Sequence, residues 1–156
     1  MIVTVGTLGA LRLKYKNKRI VFADGTFDLF HLGHVAAIKN LHTYGDLVVV
    51  GVLCDEWVKM NKGDKRPILN EKERVTLVDS LKFTDYVVLQ KDVSKRIKTT
   101  QILEKLKPDV FVSLDKSWNS KKSFFKEIGV ELKIVKRINS FSTTKLLERI
   151  SVSMKK

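Results

Sequence analysis

Apolar and polar residues alternate along this chain in two different rhythms. Short, continuously apolar runs rich in valine and isoleucine are typical of buried strands, and apolar residues three or four apart are typical of helices. The runs that predict strands are residues 20–23, 47–53, 86–89, 110–112 and 132–135. The spacings that predict helices fall at residues 34–41, 70–81, 97–106, 124–128 and 146–150. Continuously apolar strands separated by helices indicate a parallel sheet with helices on both faces.

Two segments do not follow this alternation. Residues 55–66 are polar and basic, and we interpret them as a loop between a strand and a helix. Residues 1–19 carry a basic cluster and predict no element, so we treat them as an N-terminal extension of unknown role. The remaining residues, 20–156, are predicted to form a single Rossmann-like, doubly wound α/β domain. Open sheets of this kind bind ligands at the carboxyl ends of their strands, so candidate functional residues are those that follow each strand.

Composition excludes several classes of protein. The chain of 156 residues is 44% hydrophobic, which is too apolar for a disordered chain. None of its apolar runs approaches the ~18 residues that cross a bilayer. The single cysteine, Cys54, rules out a disulfide scaffold and favours a reducing compartment. Because no basic residue precedes the apolar start of the chain, it does not resemble a secretory signal. We therefore expect a cytoplasmic protein without membrane insertion.

The charge of the chain points to anionic ligands. The formal net charge is +13, because 30 lysines and arginines outnumber 17 acidic residues. A field of that sign attracts nucleic acids, anionic lipids and phosphorylated small molecules. A nucleic-acid-binding module is one alternative, but the aromatic residues are not interleaved with basic ones as a stacking platform requires. A solvated, lysine-rich surface explains most of the charge equally well, so composition does not select the ligand.

The densest group of candidate functional residues follows the first predicted strand, at residues 24–34. Two of the three histidines, His31 and His34, lie here, on one face of the first turn of the predicted helix. Gly33 between them removes a side chain, and Gly25 does the same in the preceding loop, so a ligand can approach the backbone. The unpaired N–H groups and positive dipole end of such a helix favour phosphate. Two imidazoles there suit the stabilisation of extra negative charge on a phosphorus centre.

The histidine pair has two alternative roles, metal binding and helix capping. Histidines three apart bind metals in many proteins, although no third ligand is evident in the sequence. Histidines also cap helices without any chemical role. His42 lies on the same predicted helix but away from the pair, and we interpret it as structural.

Residues 25–34 as a whole resemble the signature of the cytidylyltransferase-like nucleotidyltransferases. The matching positions are Gly25, Thr26, Phe27, Asp28, His31, Gly33 and His34. Later segments support the resemblance, which extends over roughly residues 20–150. It implies an enzyme that joins a nucleoside triphosphate to a phosphate monoester and releases pyrophosphate, without a covalent enzyme intermediate.

The basic stretch of residues 55–74 is the first of these later segments. Its lysines, Lys62 among them, are point charges that can fold over a triphosphate. Arg74 lies in the first turn of a predicted helix, which the helix dipole makes an unfavourable place for a cation. A bound phosphate nearby would explain this arginine, and so would a surface salt bridge with Glu71 or Glu73.

Residues 137–145 resemble the C-terminal motif of the family. Ser142, Thr143 and Thr144 open the last predicted helix, where side-chain and backbone donors can meet phosphate oxygens. Simple N-capping is the alternative role for the same hydroxyls. Ser140 stands where the family usually has glycine, so its side chain would narrow the base pocket.

The resemblance implies a role for each matching residue. His31 and His34 would contact the α- and β-phosphate oxygens in the transition state, and Lys62 would neutralise the triphosphate. The residues expected to bind the nucleotide are Gly25, Thr26, Phe27, Gly33, Arg137, Ser142, Thr143 and Thr144. The residues expected at the acceptor are Asp28, Lys59, Arg74 and Arg96. Asp28 would orient the loop or a metal-bound water. The expected cofactor is Mg²⁺, bound with the triphosphate, and no protein metal site is assigned.

The base of the nucleotide stays open between cytosine and adenine. Arg137 matches the pattern of the glycerol-phosphate, choline-phosphate and ethanolamine-phosphate cytidylyltransferases. The stretch of residues 62–67, Lys-Gly-Asp-Lys-Arg-Pro, instead resembles the heptose-phosphate adenylyltransferases and partly the archaeal FAD synthetases. We favour transfer of CMP to a small phosphate monoester such as glycerol 3-phosphate, because cytosine offers a carbonyl acceptor to an arginine. Adenylyl transfer to a sugar phosphate or to FMN is the alternative.

A non-catalytic nucleotide-binding protein that keeps this fold is a further possibility. The intact His31, His34 and Lys62 argue against it. The expected partners are therefore CTP or ATP and a phosphorylated small molecule, with no nucleic acid and no membrane. The expected assembly is a homodimer.

Overall fold

The computed structural model describes residues 1–90, 99–136 and 141–154. Its strands are β1 (Ile2–Val3), β2 (Ile20–Gly25), β3 (Leu47–Leu53), β4 (Tyr86–Gln90), β5 (Val110–Ser113) and β6 (Glu131–Ile134). Its α-helices are α1 (Leu8–Lys14), α2 (Leu32–Leu41), α3 (Asp55–Lys62), α4 (Glu71–Asp79), α5 (Thr99–Leu106), α6 (Lys122–Ile128) and α7 (Thr143–Ser153). Short 3₁₀ helices cover Val5–Thr7 and Lys116–Lys121. Within these described ranges no helix is long and apolar enough to cross a membrane.

The strands form one parallel sheet in the order β1-β4-β3-β2-β5-β6. From β2 the chain moves outward through β3 to β4, and it then returns to place β5 on the other side of β2. This reversal makes the boundary between β2 and β5 the switch point of the sheet, where connections diverge and a crevice opens at the carboxyl ends. The predicted Rossmann-like, doubly wound parallel sheet is confirmed.

Both faces of the sheet are buried, because successive residues of a strand point to opposite faces. In β2, Ile20 and Phe22 belong to a hydrophobic cluster that includes side chains of α1, α5 and α6. Val21 belongs to a second cluster that includes Ile38 of α2 and Val78 of α4. These two clusters explain why the strands are continuously apolar, and they confirm helices on both faces.

The N-terminal residues are part of this same domain. Strand β1 pairs with β4, with Ile2 beside Val87. Leu8 and Leu11 of α1 are buried in the first hydrophobic cluster. Residues 1–19 therefore add an edge strand and a covering helix to the sheet, instead of forming a separate extension. The sequence shows no alternation here because β1 is only two residues long.

The segment predicted as a basic loop is largely helical. Helix α3 covers Asp55–Lys62 and ends at Gly63, whose φ of 88° is in the left-handed region. Asp55 lies in its first turn and Lys62 in its last, and both charges complement the helix dipole. Val58 is fully buried and attaches the helix to the domain. The loop prediction for residues 55–66 is therefore wrong for its first two thirds.

A capping box and a glycine set the boundaries of α4 and α6. The Asn70 side chain accepts hydrogen bonds from the N–H groups of Lys72 and Glu73 at 3.0 and 3.1 Å, and the Glu73 carboxylate accepts from the Asn70 N–H at 2.7 Å. This capping box begins α4. Gly129 ends α6 with a left-handed φ of 70°. Cys54 is buried in the core.

Candidate active site

A cleft with a volume of about 740 Å³ opens at the carboxyl ends of β2 and β5. The sequence-predicted site residues that line it are Gly25, Thr26, Phe27, Asp28, His31, Gly33, His34, Lys62, Ser142, Thr143 and Thr144. Lys59 and Arg74 are not among the lining residues. The predictions for Arg96, Arg137 and Ser140 lie outside the residues that the structure describes. Topology thus brings the two family-like motifs, about a hundred residues apart in sequence, into one cleft.

The two histidines share the first turn of α2. The Nδ1 atom of His31 accepts a hydrogen bond from the Gly33 N–H at 3.1 Å, and the Nδ1 atom of His34 accepts from the His31 N–H at 3.4 Å. Their rings stack with centroids 3.9 Å apart. Because Nδ1 is the acceptor in both rings, a neutral imidazole carries its proton on Nε2. Capping and phosphate binding therefore do not exclude each other, since each role uses a different nitrogen.

Aromatic side chains hold the His34 ring in place. The rings of Phe27 and Phe30 lie 5.4 and 5.2 Å from the His34 ring, between centroids. Phe27 has a left-handed φ of 54°, which is costly for a side-chain-bearing residue and typical of functional loops. A Cβ on Gly25 would lie 3.1 Å from the Phe27 ring, so the glycine makes room for that ring. The structure thus gives Phe27 a packing role at the site.

Asp28 joins three segments of the cleft. Its side chain is 1% exposed, and its carboxylate accepts hydrogen bonds from the N–H groups of Ile68 and Leu69 at about 3.0 Å. The carboxylate also forms an ion pair with Arg66 at 2.6 Å. Its backbone carbonyl accepts a hydrogen bond from the Thr143 hydroxyl at 3.0 Å. This single residue connects the histidine loop to the segment after α3 and to the start of α7. Of the roles expected for Asp28, the geometry supports orienting a loop, since its carboxylate is enclosed by protein donors.

Arg74 is the most enclosed charged residue of the site region. Its side chain is fully buried, and its guanidinium donates to the carbonyl oxygens of Leu69, Thr26 and Leu53 at 2.9, 2.6 and 2.7 Å. It also forms an ion pair with Asp55 at 2.6 Å. The guanidinium therefore fixes the backbone at the ends of β2 and β3 from beneath the cleft.

Both roles that the sequence suggests for Arg74 are wrong. The buried guanidinium does not reach the cleft, so it does not bind an acceptor phosphate. Nor does it form a surface salt bridge with its helix neighbours: Glu71 accepts from the Asp55 N–H, and Glu73 completes the capping box of α4. Its place in a first turn is tolerated because Asp55 and the inward-facing carbonyls compensate its charge.

The N-terminus of α7 meets the N-terminus of α2 at the cleft. Ser142 caps α7 by accepting a hydrogen bond from the Lys145 N–H at 3.2 Å. Thr143 and Thr144 follow in the first turn and line the cleft. Two helix N-termini that converge on one cavity present N–H groups and positive dipole ends to the same ligand, which is the arrangement that binds a chain of phosphates. Exposed Lys62, at the end of α3, adds a cation to this wall.

A polar cluster at the end of β2 is not predicted by the sequence. Asp24 lines the cleft, and its Oδ2 atom accepts hydrogen bonds from the Thr99 hydroxyl at 2.5 Å and the Gln90 amide at 3.2 Å. Burial raises the pKa of the Asp24 carboxyl, and the hydrogen bonds from Thr99 and Gln90 oppose that rise. The position of Asp24 directly after the predicted strand of residues 20–23 could have marked it as a site residue. Nothing in the sequence, however, connects it with Thr99, which is 75 residues away.

The raised pKa of Asp24 leads to a pH-dependent prediction. A carboxyl with a higher pKa in the folded state contributes stability below its ordinary value of 3.8, and that contribution is lost as the pH rises through the folded pKa. We therefore expect Asp24→Asn to raise the melting temperature relative to the parent, by a margin that grows as the pH rises above about 4. Scanning fluorimetry across this range measures the margin, and a constant margin would contradict a buried, unfavourable charge.

The opposite wall of the cleft, formed by residues after β5 and β6, is also absent from the sequence predictions. Its lining residues are Ser113, Leu114, Asp115, Trp118 and Lys136. Trp118 is held edge-on against Phe111, with ring centroids 5.2 Å apart. Asp115 caps the following 3₁₀ helix, and hydrogen bonds from Ser117 lower the pKa of its carboxyl. The wall therefore offers an aromatic ring and polar groups beside the switch point.

A cleft at the switch point, with an imidazole pair and two helix N-termini, suits a phosphorylated ligand. Comparison with known proteins agrees: the family model described as Cytidylyltransferase-like matches residues 22–156. The chain belongs to this family and is a nucleotidyltransferase. The resemblance drawn from residues 25–34 is thereby confirmed.

Two curated proteins and one solved structure show which members of the family this chain is similar to. Bifunctional protein HldE of Helicobacter pylori strain G27 is 36% identical over 138 residues, which are 88% of this chain and 29% of that protein. Bifunctional protein HldE of Aliarcobacter butzleri is 34% identical over 94% of this chain and 30% of that protein. A solved structure, the lipopolysaccharide core biosynthesis protein of Thermoplasma volcanium, matches 80% of this chain and 99% of its own, with a TM-score of 0.65 and 27% identity. The chain thus spans less than a third of the length of the two HldE proteins.

Proposed function

We propose that this nucleotidyltransferase moves the adenylyl group of ATP to the phosphate of a sugar phosphate. The observation that carries the proposal is the similarity to the HldE proteins, whose adenylyltransferase domain acts on heptose phosphates. The sequence of residues 62–67 resembles the same adenylyltransferases. Both observations support adenylyl transfer over the preference for CTP, which depends on Arg137 alone.

The chemistry consists of one displacement at phosphorus. An oxygen of the acceptor phosphate forms a bond to the α-phosphorus, while the bond from the α-phosphorus to the bridging oxygen breaks and pyrophosphate leaves with that electron pair. Such a step needs positioning and charge neutralisation, and no protein nucleophile. The Nε2–H groups of His31 and His34 would stabilise charge on the phosphate oxygens. Lys62 and the start of α7 would hold the departing pyrophosphate.

Magnesium would enter as part of the substrate. The described residues contain no group of three His, Cys, Asp or Glu side chains that could hold a metal ion. The Asp28 carboxylate is enclosed by protein donors and is not available to a metal-bound water. Mg²⁺ commonly binds through substrate phosphates and water with few protein ligands. We therefore expect it to arrive as the complex with ATP, where it neutralises the triphosphate.

Initial rates with two nucleotides and several acceptors test the proposal. Pyrophosphate release is measured with ATP or CTP and Mg²⁺, in combination with a heptose or hexose phosphate, glycerol 3-phosphate and FMN. We expect kcat/KM for ATP with a sugar phosphate to exceed that for CTP by at least about tenfold, since a misfit base loses one or more buried contacts. Faster turnover of CTP with glycerol 3-phosphate would contradict adenylyl transfer and restore the cytidylyl alternative.

A variant of Asp28 tests whether the cleft depends on its connections. Asp28→Asn keeps the size of the side chain but removes the charge that pairs with Arg66, and it points an amide at N–H donors. We expect the KM for ATP to rise by about tenfold, because the histidine loop and residues 66–69 lose the carboxylate that joins them, while the bond from Thr143 to the Asp28 carbonyl stays. Arg66→Lys, which keeps a positive charge beside Asp28 and on the wall of the cleft, should have a smaller effect. An unchanged KM in a folded Asp28→Asn protein would show that the connection does not serve the substrate.

The homodimer stays a prediction, which light scattering coupled to size-exclusion chromatography can test.

Nucleic-acid binding is the competing function that the net charge of +13 suggests. Affinity for DNA or RNA that falls steeply with salt, in a protein without pyrophosphate release, would support that competing function.

A further inference from the structure

The polar cluster of Asp24, Gln90 and Thr99 lies at the carboxyl end of β2. Gln90 ends β4 and reaches Asp24 across β3, and Thr99 begins α5, which packs on the sheet face that carries Ile20 and Phe22. The β5 wall with Trp118 lies on the other side of β2. The histidine loop that follows β2 stands between the two walls. The cluster and the β5 wall therefore line the same cleft from two directions.

A glycine in β3 leaves space for the cluster. Gly51 is the β3 residue beside Asp24. A Cβ at this position would lie 2.5 Å from the Gln90 amide nitrogen, 2.8 Å from Cζ of the buried Phe22 ring and 3.1 Å from the Asp24 Cβ. Any larger residue would displace the Gln90 amide or the Phe22 ring. Glycine is otherwise unfavourable in the middle of a buried strand, and here it makes room both for the cluster and for the core.

The charge of Asp24 is unusual for its surroundings. Among the described residues no cation forms an ion pair with it, although the chain carries a net charge of +13. Thr99 and Gln90 both bond to Oδ2, and no described side-chain donor bonds to Oδ1. A carboxylate repels the phosphates that the rest of the cleft attracts. Its partner in a substrate must therefore be an uncharged or cationic donor.

We propose that Asp24, held by Thr99 and Gln90, recognises hydroxyl groups on the polyhydroxylated part of the acceptor phosphate monoester. This inference rests on the proposed function and names the subsite that selects a sugar. Oδ1 accepts from a sugar hydroxyl, while the bonds to Oδ2 keep the carboxylate from rotating. The Thr99 oxygen supplies a second acceptor beside it. A site with fixed acceptors strongly rejects analogues that lack the matching hydroxyl, because its own polar groups are then left unpaired.

Kinetics of matched variants with matched substrates test this subsite. Asp24→Asn and Thr99→Val are assayed with ATP and a sugar phosphate, its monodeoxy analogues and ethanolamine phosphate. We expect Asp24→Asn to raise the KM for the sugar phosphate about 10- to 100-fold, while the KM for ATP changes less than about twofold. Thr99→Val should give a smaller rise in the same KM. Asp46→Asn makes the same chemical change outside the cleft, at an exposed carboxylate before β3 that accepts a hydrogen bond from the Arg19 N–H, and it should leave the acceptor KM unaltered.

The deoxy analogues separate recognition from a structural effect. For the analogue that lacks the recognised hydroxyl, the parent protein should already show the raised KM, and Asp24→Asn should add little. An equal loss with every analogue, or an unchanged acceptor KM in active variants, would overturn the inference. Efficient use of ethanolamine phosphate that Asp24→Asn abolishes would overturn it too, since Asp24 would then pair with an ammonium group. Failure of the proposed function is distinguishable, because the parent itself would then not use ATP with any sugar phosphate.

Discussion

Replacing His34 with alanine is expected to lower kcat by about 10²- to 10³-fold, because one preorganised donor to the developing charge is lost. The fold should survive, since the hydrogen bond that the Nδ1 atom of His34 accepts from the His31 N–H is long, at 3.4 Å. The loss should appear in kcat and kcat/KM together, as expected for an interaction made in the transition state. Steady-state pyrophosphate release, beside a thermal unfolding curve, measures both effects.

His42→Ala is the matched control for this prediction. His42 lies at the end of the same helix, and its Nε2 atom is 2.9 Å from the Phe83 carbonyl, away from the cleft. Its removal should therefore cost stability without changing kcat. Near-parental turnover by His34→Ala would contradict the proposed role of the histidine pair. Bound zinc near one equivalent, lost in His34→Ala, would instead support the metal-binding role.

Replacing Arg74 with methionine is expected to destabilise the fold by about 3 kcal/mol, because breaking a buried ion pair leaves polar groups without partners. The side chain is fully buried, and four oxygens lose their donor, three of them backbone carbonyls. The Thr26 carbonyl is one of these, so the histidine loop should loosen as well. Urea unfolding followed by circular dichroism measures the loss, and activity should fall with it.

Two variants make this prediction specific. Arg74→Lys keeps the charge near Asp55 but has no planar fork to span the carbonyls, so an intermediate loss is expected. Arg12→Met removes an arginine from an ion pair with Asp109 whose side chains are 27% and 30% exposed. That pair should contribute less than about 1 kcal/mol. Equal losses for Arg74→Met and Arg12→Met would show that burial does not set the energetic role of Arg74.

The regular elements were largely predictable because their signals are local. The continuously apolar, valine-rich run of residues 47–53 predicted β3, and the Asn70–Glu73 capping box begins α4 at the start of the predicted helix. The failures came from weak or mixed local signals. Strand β1 is too short to show a period, and the charges of α3 resembled a solvated loop until the burial of Val58 was known. Local patterns specify an element only when it is long enough to repeat them.

The sequence by itself determined the fold class, the family and the residues that begin α2 and α7, since each depends on contiguous residues. Tertiary structure alone decided what Asp28, Arg74 and Asp24 contact. The partners of Arg74 and Asp24 include residues 48 and 75 positions away, Thr26 and Thr99. Their environments are set by which strands are neighbours and by what is buried, and a side chain's charge does not reveal whether it meets water, a carbonyl or a carboxylate. Burial changes the energetic consequence of each such contact, and burial is a property of the packed chain.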